Sequence, residues 1–416
     1  MTRGARGPAP RRLRLAFLTP EFVTEPYFCG GLANYLHRTG AALARRGHQA
    51  IVLVPSRETP ARLELDGIEV RRVAPVPALA WLARRAPRRL GGSADALCAS
   101  LALARELARL HRESPVDLVQ AASSRACGLA SRLLVPLPQL LRASCYRPQL
   151  NQLAGIPRGL DARLGEALEA LALRLAQRVY APSRTLAALL ERETGRRDVR
   201  VLPPPFSLET AERDPALLER VAPGGPYLVF FGRLQLHKGF PLLIEALPDF
   251  LAAHPEARLV CAGPDHATRL APSLREWARA RLGALAERVV FTGALRHAQL
   301  YPLVAGARLA VLPSLLENLP NACLEAMALG TPVLGTRGTS FDEILEDGVS
   351  GFLVEPGDAR ALAEGLDAAW AHPRLKQVGA AAQRAVARFD EAEGLAALLA
   401  CCDELLAESR EAGEAR

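Results

Sequence analysis

Short apolar runs alternate with helical segments along this chain, and the alternation occurs in two series. A short apolar run bounded by turn residues is typical of a buried parallel strand, and apolar residues repeated every three or four positions are typical of an amphipathic helix. Parallel strands need long crossover connections, which helices usually provide. The pattern therefore predicts an α/β fold, in which parallel sheets are covered by helices.

A stretch rich in proline and glycine, 203–226, separates the two series and is predicted to be a linker. The chain of 416 residues is long enough for two domains, each with its own core. Ligands of such sheets bind at the carboxyl ends of the strands, so a cleft between the domains is expected. The predicted parts are a disordered tail at 1–12, an N-terminal domain at 13–202, a C-terminal domain at 227–388 and a final helical segment at 389–416.

The region 307–333 reads as a buried strand, a loop and a short helix. Pro320 is predicted at the first helical position, where its missing N–H costs nothing. Glu317 then lies on the loop and Glu325 inside the helix. The free amides at 321–323 are expected to attract an anion beyond the strand. A ligand with central phosphates and hydroxyl groups at both ends fits between the carboxylates, and a nucleotide-sugar is such a ligand.

A predicted strand at 227–231 runs directly into the sequence G-R-L-Q-L-H-K-G at 232–239. Arginine offers a planar fork of donors and lysine a compact charge, so Arg233 and Lys238 are suited to bracket a diphosphate. Such cations stabilise the charge that develops on a departing diphosphate. The alternative is an ordinary turn between a strand and a helix with two exposed basic residues.

Two adjacent glycines, Gly30 and Gly31, follow the first predicted strand. Glycine lets the backbone approach a ligand closely, and it equally permits a plain tight turn. The G-x-G-x-x-G pattern is absent here, so this pair alone leaves both interpretations open.

Together these features resemble the retaining glycosyltransferases of family 4, also called glycosyl transferases group 1, which have the GT-B fold. The matching elements are the glycine pair, G-R-L-x-x-x-K-G at 232–239, E-x7-E at 317–325 and the text from there to residue 358. The resemblance is dense over 227–358 and thinner over 13–200. It implies two doubly wound, Rossmann-like domains that face each other across a cleft, with the final helix packed back on the N-terminal domain.

The resemblance also implies roles for individual residues. Arg233 and Lys238 would grip the donor diphosphate, Glu317 would bond to hydroxyl groups of the transferred sugar, and Glu325 to the ribose. Glu343 would steady the donor loop without touching the donor. Arg233, Lys238 and Glu317 are thus the candidate catalytic residues. Such enzymes use no metal and no cofactor besides the nucleoside-diphosphate-sugar donor. The candidate donor-binding residues are Gly30, Gly31, Gly232, Asn318, Leu319, Asn321 and Glu325.

The acceptor side departs from the family pattern. Many members carry a histidine at the end of the strand corresponding to 116–120, near the anomeric carbon, and none follows that strand here. Ser123, Ser124 and Arg142 are candidates by position alone. His237 lies between the two cations, at a variable position of the motif.

The amino-acid composition limits the classes of partner and the cellular location that can be expected. The 52 basic and 44 acidic residues leave a diffuse net charge of +8, and only 5% of residues are aromatic, which argues against nucleic acid. The eight cysteines show no C-x-x-C pair, which favours a reducing compartment. No apolar run suits a signal peptide or a membrane-spanning helix, so a cytoplasmic location is expected.

The segment 76–92 contains Trp81 and two arginine pairs. It is either a solvated basic face or a patch that contacts anionic lipid at the inner membrane face. The overall prediction is a retaining, metal-independent hexosyltransferase that acts on a glycan, lipid-linked or small-molecule acceptor. The alternatives are a catalytically inactive nucleotide-sugar-binding or regulatory protein, and a related sugar phosphorylase or epimerase.

Overall fold

The computed structural model describes residues 12–26, 30–56, 61–76, 90–208, 214, 216–221 and 225–414, which include two sheets. In the N-terminal sheet the strand order is β3-β4-β2-β1-β5-β6-β7-β8, and all pairings are parallel except that of β3 with β4. Its strands are β1 (Arg14–Leu18), β2 (Gln49–Pro55), β3 (Arg62–Leu65), β4 (Ile68–Val73), β5 (Leu118–Ala122), β6 (Gln139–Arg142), β7 (Arg178–Ala181) and β8 (Val199–Val201).

The C-terminal sheet has six strands, all paired in parallel, in the order β11-β10-β9-β12-β13-β14. Its strands are β9 (Tyr227–Phe231), β10 (Arg258–Ala262), β11 (Val289–Gly293), β12 (Leu309–Val311), β13 (Val333–Thr336) and β14 (Phe352–Val354).

Helices cover both sheets. They are α1 (Gly31–Arg45), α2 (Gly91–Glu113), α3 (Leu129–Leu134), α4 (Arg147–Ala154), α5 (Leu160–Leu175), α6 (Arg184–Thr194), α7 (Ala216–Val221), α8 (Phe240–Ala253), α9 (Leu274–Leu282), α10 (His297–Ala305), α11 (Asn321–Ala328), α12 (Phe341–Ile344), α13 (Ala359–Trp370), α14 (Leu375–Ala385) and α15 (Glu391–Glu414).

The predicted α/β architecture of two doubly wound domains is confirmed. Some local predictions were wrong. The alternation along the chain predicts a helix at 123–134, but the structure has a 3-10 turn, Ser124–Ala126, followed by the short helix α3. Strand β5 ends at Ala122, two residues beyond the predicted end at 120. Within the stretch predicted as a linker, 216–221 form helix α7, and Phe206 is buried and bridges to Asp390; the role of the stretch as a linker stays a prediction.

The strand order places the predicted motifs at the centre of each sheet. Strand β1 lies between β2 and β5, and β9 lies between β10 and β12, so the order reverses at these two strands. Crevices at such reversal points are where open α/β sheets bind ligands. The glycine pair follows β1, and the segment 232–239 follows β9.

Helix α15 belongs to the core of the N-terminal domain. Its buried residues recur every three or four positions, which places them on one helical face. Leu395, Leu398, Cys402 and Leu405 pack in one cluster with residues of α1 and β1, such as Leu43. The end of the chain thus joins the domain in which the chain began.

Candidate functional site

A cavity of about 760 Å³ lies between the two domains at the carboxyl ends of their central strands. All ten residues predicted for catalysis or donor binding line it, although they come from separate parts of the chain. They are Gly30, Gly31, Gly232, Arg233, Lys238, Glu317, Asn318, Leu319, Asn321 and Glu325.

The turn after β9 fixes Lys238 beside Glu317. The Nζ atom of Lys238 lies 2.5 Å from Oε1 of Glu317, which also accepts a hydrogen bond from Ser314 Oγ at 2.8 Å. The turn ends at Gly239, whose φ is +68° and where a Cβ would lie 1.8 Å from the carbonyl oxygen of Pro313. Only glycine fits there, because both the backbone conformation and the space exclude a side chain. This close approach brings the lysine turn against the loop that carries Glu317.

His237 is buried, and it also lines the cavity. In the sequence it lies between Arg233 and Lys238, which are together called the clamp. Burial, together with the positive charges of Lys238 and Arg233, lowers the pKa of His237 to about 3. The imidazole is therefore neutral at ordinary pH. Its backbone carbonyl accepts a hydrogen bond from the amide of Leu315 at 2.8 Å, which ties the turn to the β12 loop.

Glu325, on α11, is paired with a residue that the sequence analysis missed. Its Oε1 atom lies 3.1 Å from Nη2 of Arg38, on α1 of the other domain, and both side chains are less than a tenth exposed. His297 Nε2 lies 3.9 Å from the same oxygen. No sequence pattern links Arg38 to Glu325, because 287 positions separate them. The expected ribose-binding carboxylate is thus also part of a buried ion pair between the domains.

The helix start near Glu325 differs from the prediction. Pro320 is the N-cap residue rather than the first helical residue, and its φ and ψ are −76° and 108°. The amide of Cys323 donates to the carbonyl oxygen of Pro320 at 3.0 Å. The predicted anion site therefore lacks this amide, because the first turn of the helix tightens back on the cap residue.

The glycine pair meets the C-terminal domain directly. Gly31 begins α1, and a Cβ added to it would lie 3.4 Å from Nδ2 of Asn321. A Cβ on Gly30 would lie 3.0 Å from Oε1 of Glu21. The glycines thus let α1 begin close to α11, at the edge of the cavity.

Two further contacts hold the domains together around the cavity. Asn318 Nδ2 donates to the carbonyl oxygen of Ser144 at 2.7 Å. The Glu343 carboxylate accepts hydrogen bonds from the amides of Arg184 and Thr185, at 2.8 and 2.6 Å, which is a capping arrangement at the start of α6. Glu343 thus caps a helix of the opposite domain.

On the acceptor side, Ser124 and Arg142 line the cavity. Arg142 lies over the ring of Tyr35, 3.9 Å from its centroid, and donates to Ser144 Oγ at 2.8 Å. Ser123 is almost fully buried, and its hydroxyl accepts from the amide of Ser144. Position alone therefore led to two cavity residues and one residue that supports the neighbouring loop.

Two negative findings concern the described residues alone. Within the ranges that the structure describes, there is no group of three His, Cys, Asp or Glu side chains arranged to hold a metal ion. In that same part of the chain, no helix combines the length and apolar character needed to cross a membrane. The basic segment with Trp81 and its arginine pairs lies outside the described residues.

Comparison with known families defines the class of protein. The family described as "Glycosyltransferase Family 4" matches residues 29–210, and the one described as "Glycosyl transferases group 1" matches residues 225–372. The two matches include all ten predicted site residues, which line the cavity. The fold and these matches define a glycosyltransferase of the GT-B type.

Individual relatives agree with this class. Glycogen synthase of Mycobacterium tuberculosis is 26% identical over 397 residues, which is 91% of this chain and 91% of that protein. Among solved structures, sucrose-phosphate synthase from Thermosynechococcus elongatus superposes with a TM-score of 0.78 at 21% identity, over 95% of this chain and 100% of that one. HepE from Anabaena, solved in complex with UDP-glucose, gives 0.69 at 21% identity over 96% and 100%. The chain belongs to the family 4 glycosyltransferases of group 1.

Proposed function

We propose that this glycosyltransferase moves a sugar from a nucleoside-diphosphate-sugar to a hydroxyl group of an acceptor, with retention at the anomeric carbon and without a metal ion or other cofactor. The observation that carries the proposal is the charge arrangement of one cavity. Arg233 and Lys238 supply positive charge after β9, and Glu317 and Glu325 supply carboxylates after β12. A donor with a central diphosphate and hydroxyl groups on both sides matches that arrangement.

The clamp residues would act on the leaving group. As the glycosidic bond breaks, negative charge grows on the diphosphate, and preorganised cations stabilise that charge without reorganising. The Lys238 ammonium is already held in place by Glu317, so little side-chain entropy remains to be lost when the donor binds. The solved complex of HepE with UDP-glucose supports a nucleotide-sugar donor, and the match to a retaining family supports retention.

The first experiment is a thermal-shift panel of UDP-, GDP-, ADP- and dTDP-sugars, followed by turnover with the stabilising donor. A bound donor raises the melting temperature by mass action. The variant Lys238→Met should lose about 100-fold or more in turnover, which is the usual effect of removing one charge-stabilising group. Lys376→Met is the matched control, because Lys376 is the other lysine of the chain and lies exposed on α14.

Product analysis separates the proposal from its rivals. A sugar phosphorylase would release sugar 1-phosphate, and an epimerase would isomerise the donor without an acceptor. An inactive binding protein would bind the donor and form no product with any acceptor. Proton NMR of the first product reports the anomeric configuration, and an inverted product would refute retention. Full activity of Lys238→Met would refute the assigned role of the clamp.

For the acceptor and the location, we propose a glycan or lipid-linked acceptor reached from the cytoplasmic face of a membrane. The support is an exposed apolar face on α5 and the neighbouring end of α3, where Arg132 donates to the carbonyl oxygen of Leu175 at 2.8 Å. Exposed apolar patches of this kind mark interaction surfaces. The exposed leucines of this face are Leu133, Leu134, Leu160, Leu164, Leu171 and Leu175.

Sedimentation with lipid vesicles tests this location. The wild type should bind vesicles that contain anionic lipid, and replacement of Leu164 and Leu171 by serine should abolish binding. The exposed Leu270, in the C-terminal domain, supplies the control Leu270→Ser. Equal binding by all three proteins, or none by the wild type, would refute the membrane contact.

A further inference from the structure

A second cavity, of about 580 Å³, lies inside the N-terminal domain next to the cleft. It is lined by the first turn of α2, by α4 and by α5, and it is partly open to solvent. Ser124 and Arg125 line this cavity and the cleft alike, so the two spaces meet at the turn after β5. The volume lies within the usual range of small-molecule sites.

The turn where the cavities meet has a strained backbone. Arg125 and Ala126 have φ values of +56° and +48°, in the left-handed region that side chains other than glycine seldom adopt. A residue that lines the second cavity stabilises this conformation, because the Arg125 amide donates a hydrogen bond to Oε1 of Glu169 at 2.6 Å. Residues kept in such conformations cluster at binding and catalytic sites.

Several side chains that line the second cavity are polar or charged, and two of them are buried. Glu169 and Asn151 are each 4% exposed. Arg147 reaches Glu169, with Nη1 and Oε1 3.2 Å apart, and its buried Nε has no hydrogen-bond partner among the described residues. Asn151 and Glu169 thus place buried polar groups along the wall of the second cavity.

The charges in the second cavity nearly balance. Its lining contains two arginines, Arg125 and Arg147, and three acidic residues, Asp95, Asp161 and Glu169. Asp161 also accepts hydrogen bonds from the amides of Gly92 and Ser93, so the positive end of α2 is already neutralised by a carboxylate. A phosphorylated ligand would meet no surplus of positive charge here. A neutral polyol, which both donates and accepts hydrogen bonds, fits the mixture.

We propose that this second cavity binds the acceptor and that the acceptor group is a neutral polyol, such as a sugar residue or a cyclitol without phosphate. This inference rests on the proposed glycosyltransfer. The nucleophilic hydroxyl passes the Arg125 turn into the cleft, where its oxygen bonds to the anomeric carbon. The bond from that carbon to the diphosphate oxygen breaks, the diphosphate keeps the electron pair, and the hydroxyl proton passes to the diphosphate.

The test varies Gly165, which lies on α5 and lines the second cavity. A Cβ there would lie 3.7 Å from Ser93 Oγ and 4.0 Å from Arg147 Nε, which are ordinary contact distances, so Gly165→Ala should fold as the wild type does and is the reference for a larger side chain. Gly165→Leu extends a side chain into the cavity at the same position. Calorimetry without donor would measure binding of glucose, maltotriose and myo-inositol, together with glucose 6-phosphate and inositol phosphate.

We expect Gly165→Leu to weaken polyol binding, or to raise the acceptor KM, at least tenfold relative to Gly165→Ala. Arg125→Gly is a second variant, and relief of the left-handed strain should keep it folded while its acceptor KM rises. Unchanged polyol affinity in Gly165→Leu, or preference for the phosphorylated compounds, would overturn the inference. Absence of any donor binding by the wild type would instead overturn the proposed function, and the calorimetry would still decide the cavity.

Discussion

The ion pair between Arg38 and Glu325 offers a quantitative test of how the two domains are held together. The two side chains are 8% and 9% exposed, and the nearest nitrogen and oxygen are 3.1 Å apart. Removal of one partner from a buried pair costs about 3–5 kcal/mol, because the other charge stays buried and unpaired. Arg38→Met keeps the aliphatic stem, so its packing near Phe206 is largely retained. We therefore expect a loss near the lower end, about 3 kcal/mol.

The same α1 helix provides the control. Arg45 pairs with Glu391 at 2.6 Å, but its side chain is 60% exposed and that of Glu391 is 25% exposed. Exposed pairs are worth about 0–1 kcal/mol. The two pairs thus join the same residue types and differ chiefly in burial.

Double-mutant cycles compare the two pairs. The variants are Arg38→Met and Glu325→Gln in one cycle, and Arg45→Met and Glu391→Gln in the other, with unfolding in urea followed by circular dichroism. Small-angle scattering would detect any opening of the cleft that follows the loss of the Arg38–Glu325 ion pair. A coupling energy for Arg38 and Glu325 no larger than that of the exposed pair would refute the argument that burial makes this contact strong.

Three further predictions follow from single groups. The unfolded chain protonates His237 below pH 6.5, whereas the folded chain does so only near pH 3, so the free energy of unfolding decreases as the pH falls. By pH 5 the wild type should lose about 2 kcal/mol more than His237→Gln in urea unfolding. Parallel pH curves for the two proteins would contradict this. Glu169 gives stability the opposite pH dependence, because burial raises its pKa to about 7. Between about pH 4.5 and 7 the folded chain keeps a proton that the unfolded chain has released, so stability falls with rising pH by up to about 3 kcal/mol. In Glu169→Gln the melting temperature should change less with pH over that range. Gly239→Ala should lower the melting temperature far more than Gly357→Ala, because both glycines have positive φ but only Gly239 is packed against backbone; equal shifts would show that the contact with Pro313 is unimportant.

Much of the fold was readable from local sequence. The sequence predicts strands at 68–73, 139–142, 178–181, 227–231, 258–262 and 333–336, and these are the bounds of β4, β6, β7, β9, β10 and β13. The agreement arises because each strand is a short run whose apolar character changes sharply at its ends. Strand β3 was missed, since it is a half-exposed edge strand in which charged residues alternate with leucine. Helix α4 was missed because it has only eight residues and a mostly polar sequence. Helix α14 was also not predicted, although its sequence has helical periodicity: its buried residues at 375, 378, 379 and 382 lie on one face of the helix.

The candidate site was predictable to a similar degree, and for a physical reason. Parallel strands end at the same edge of a sheet, so residues that directly follow strands gather at one edge wherever they stand in the sequence. This rule brought Arg233, Lys238 and Glu317 together correctly. It says nothing about residues within helices, which is why Arg38 and Glu169 were not found.

The sequence by itself determined the two doubly wound domains, most of their elements, and the cations and carboxylates that follow β9 and β12. The tertiary structure alone decided which group pairs with which across the cleft, as with Arg38 and Glu325 or Glu343 and the start of α6. It also decided that a second polar cavity adjoins the cleft at Arg125. Periodicity and composition record which face of an element is buried, but the partner of that face depends on how separately folded domains come into contact.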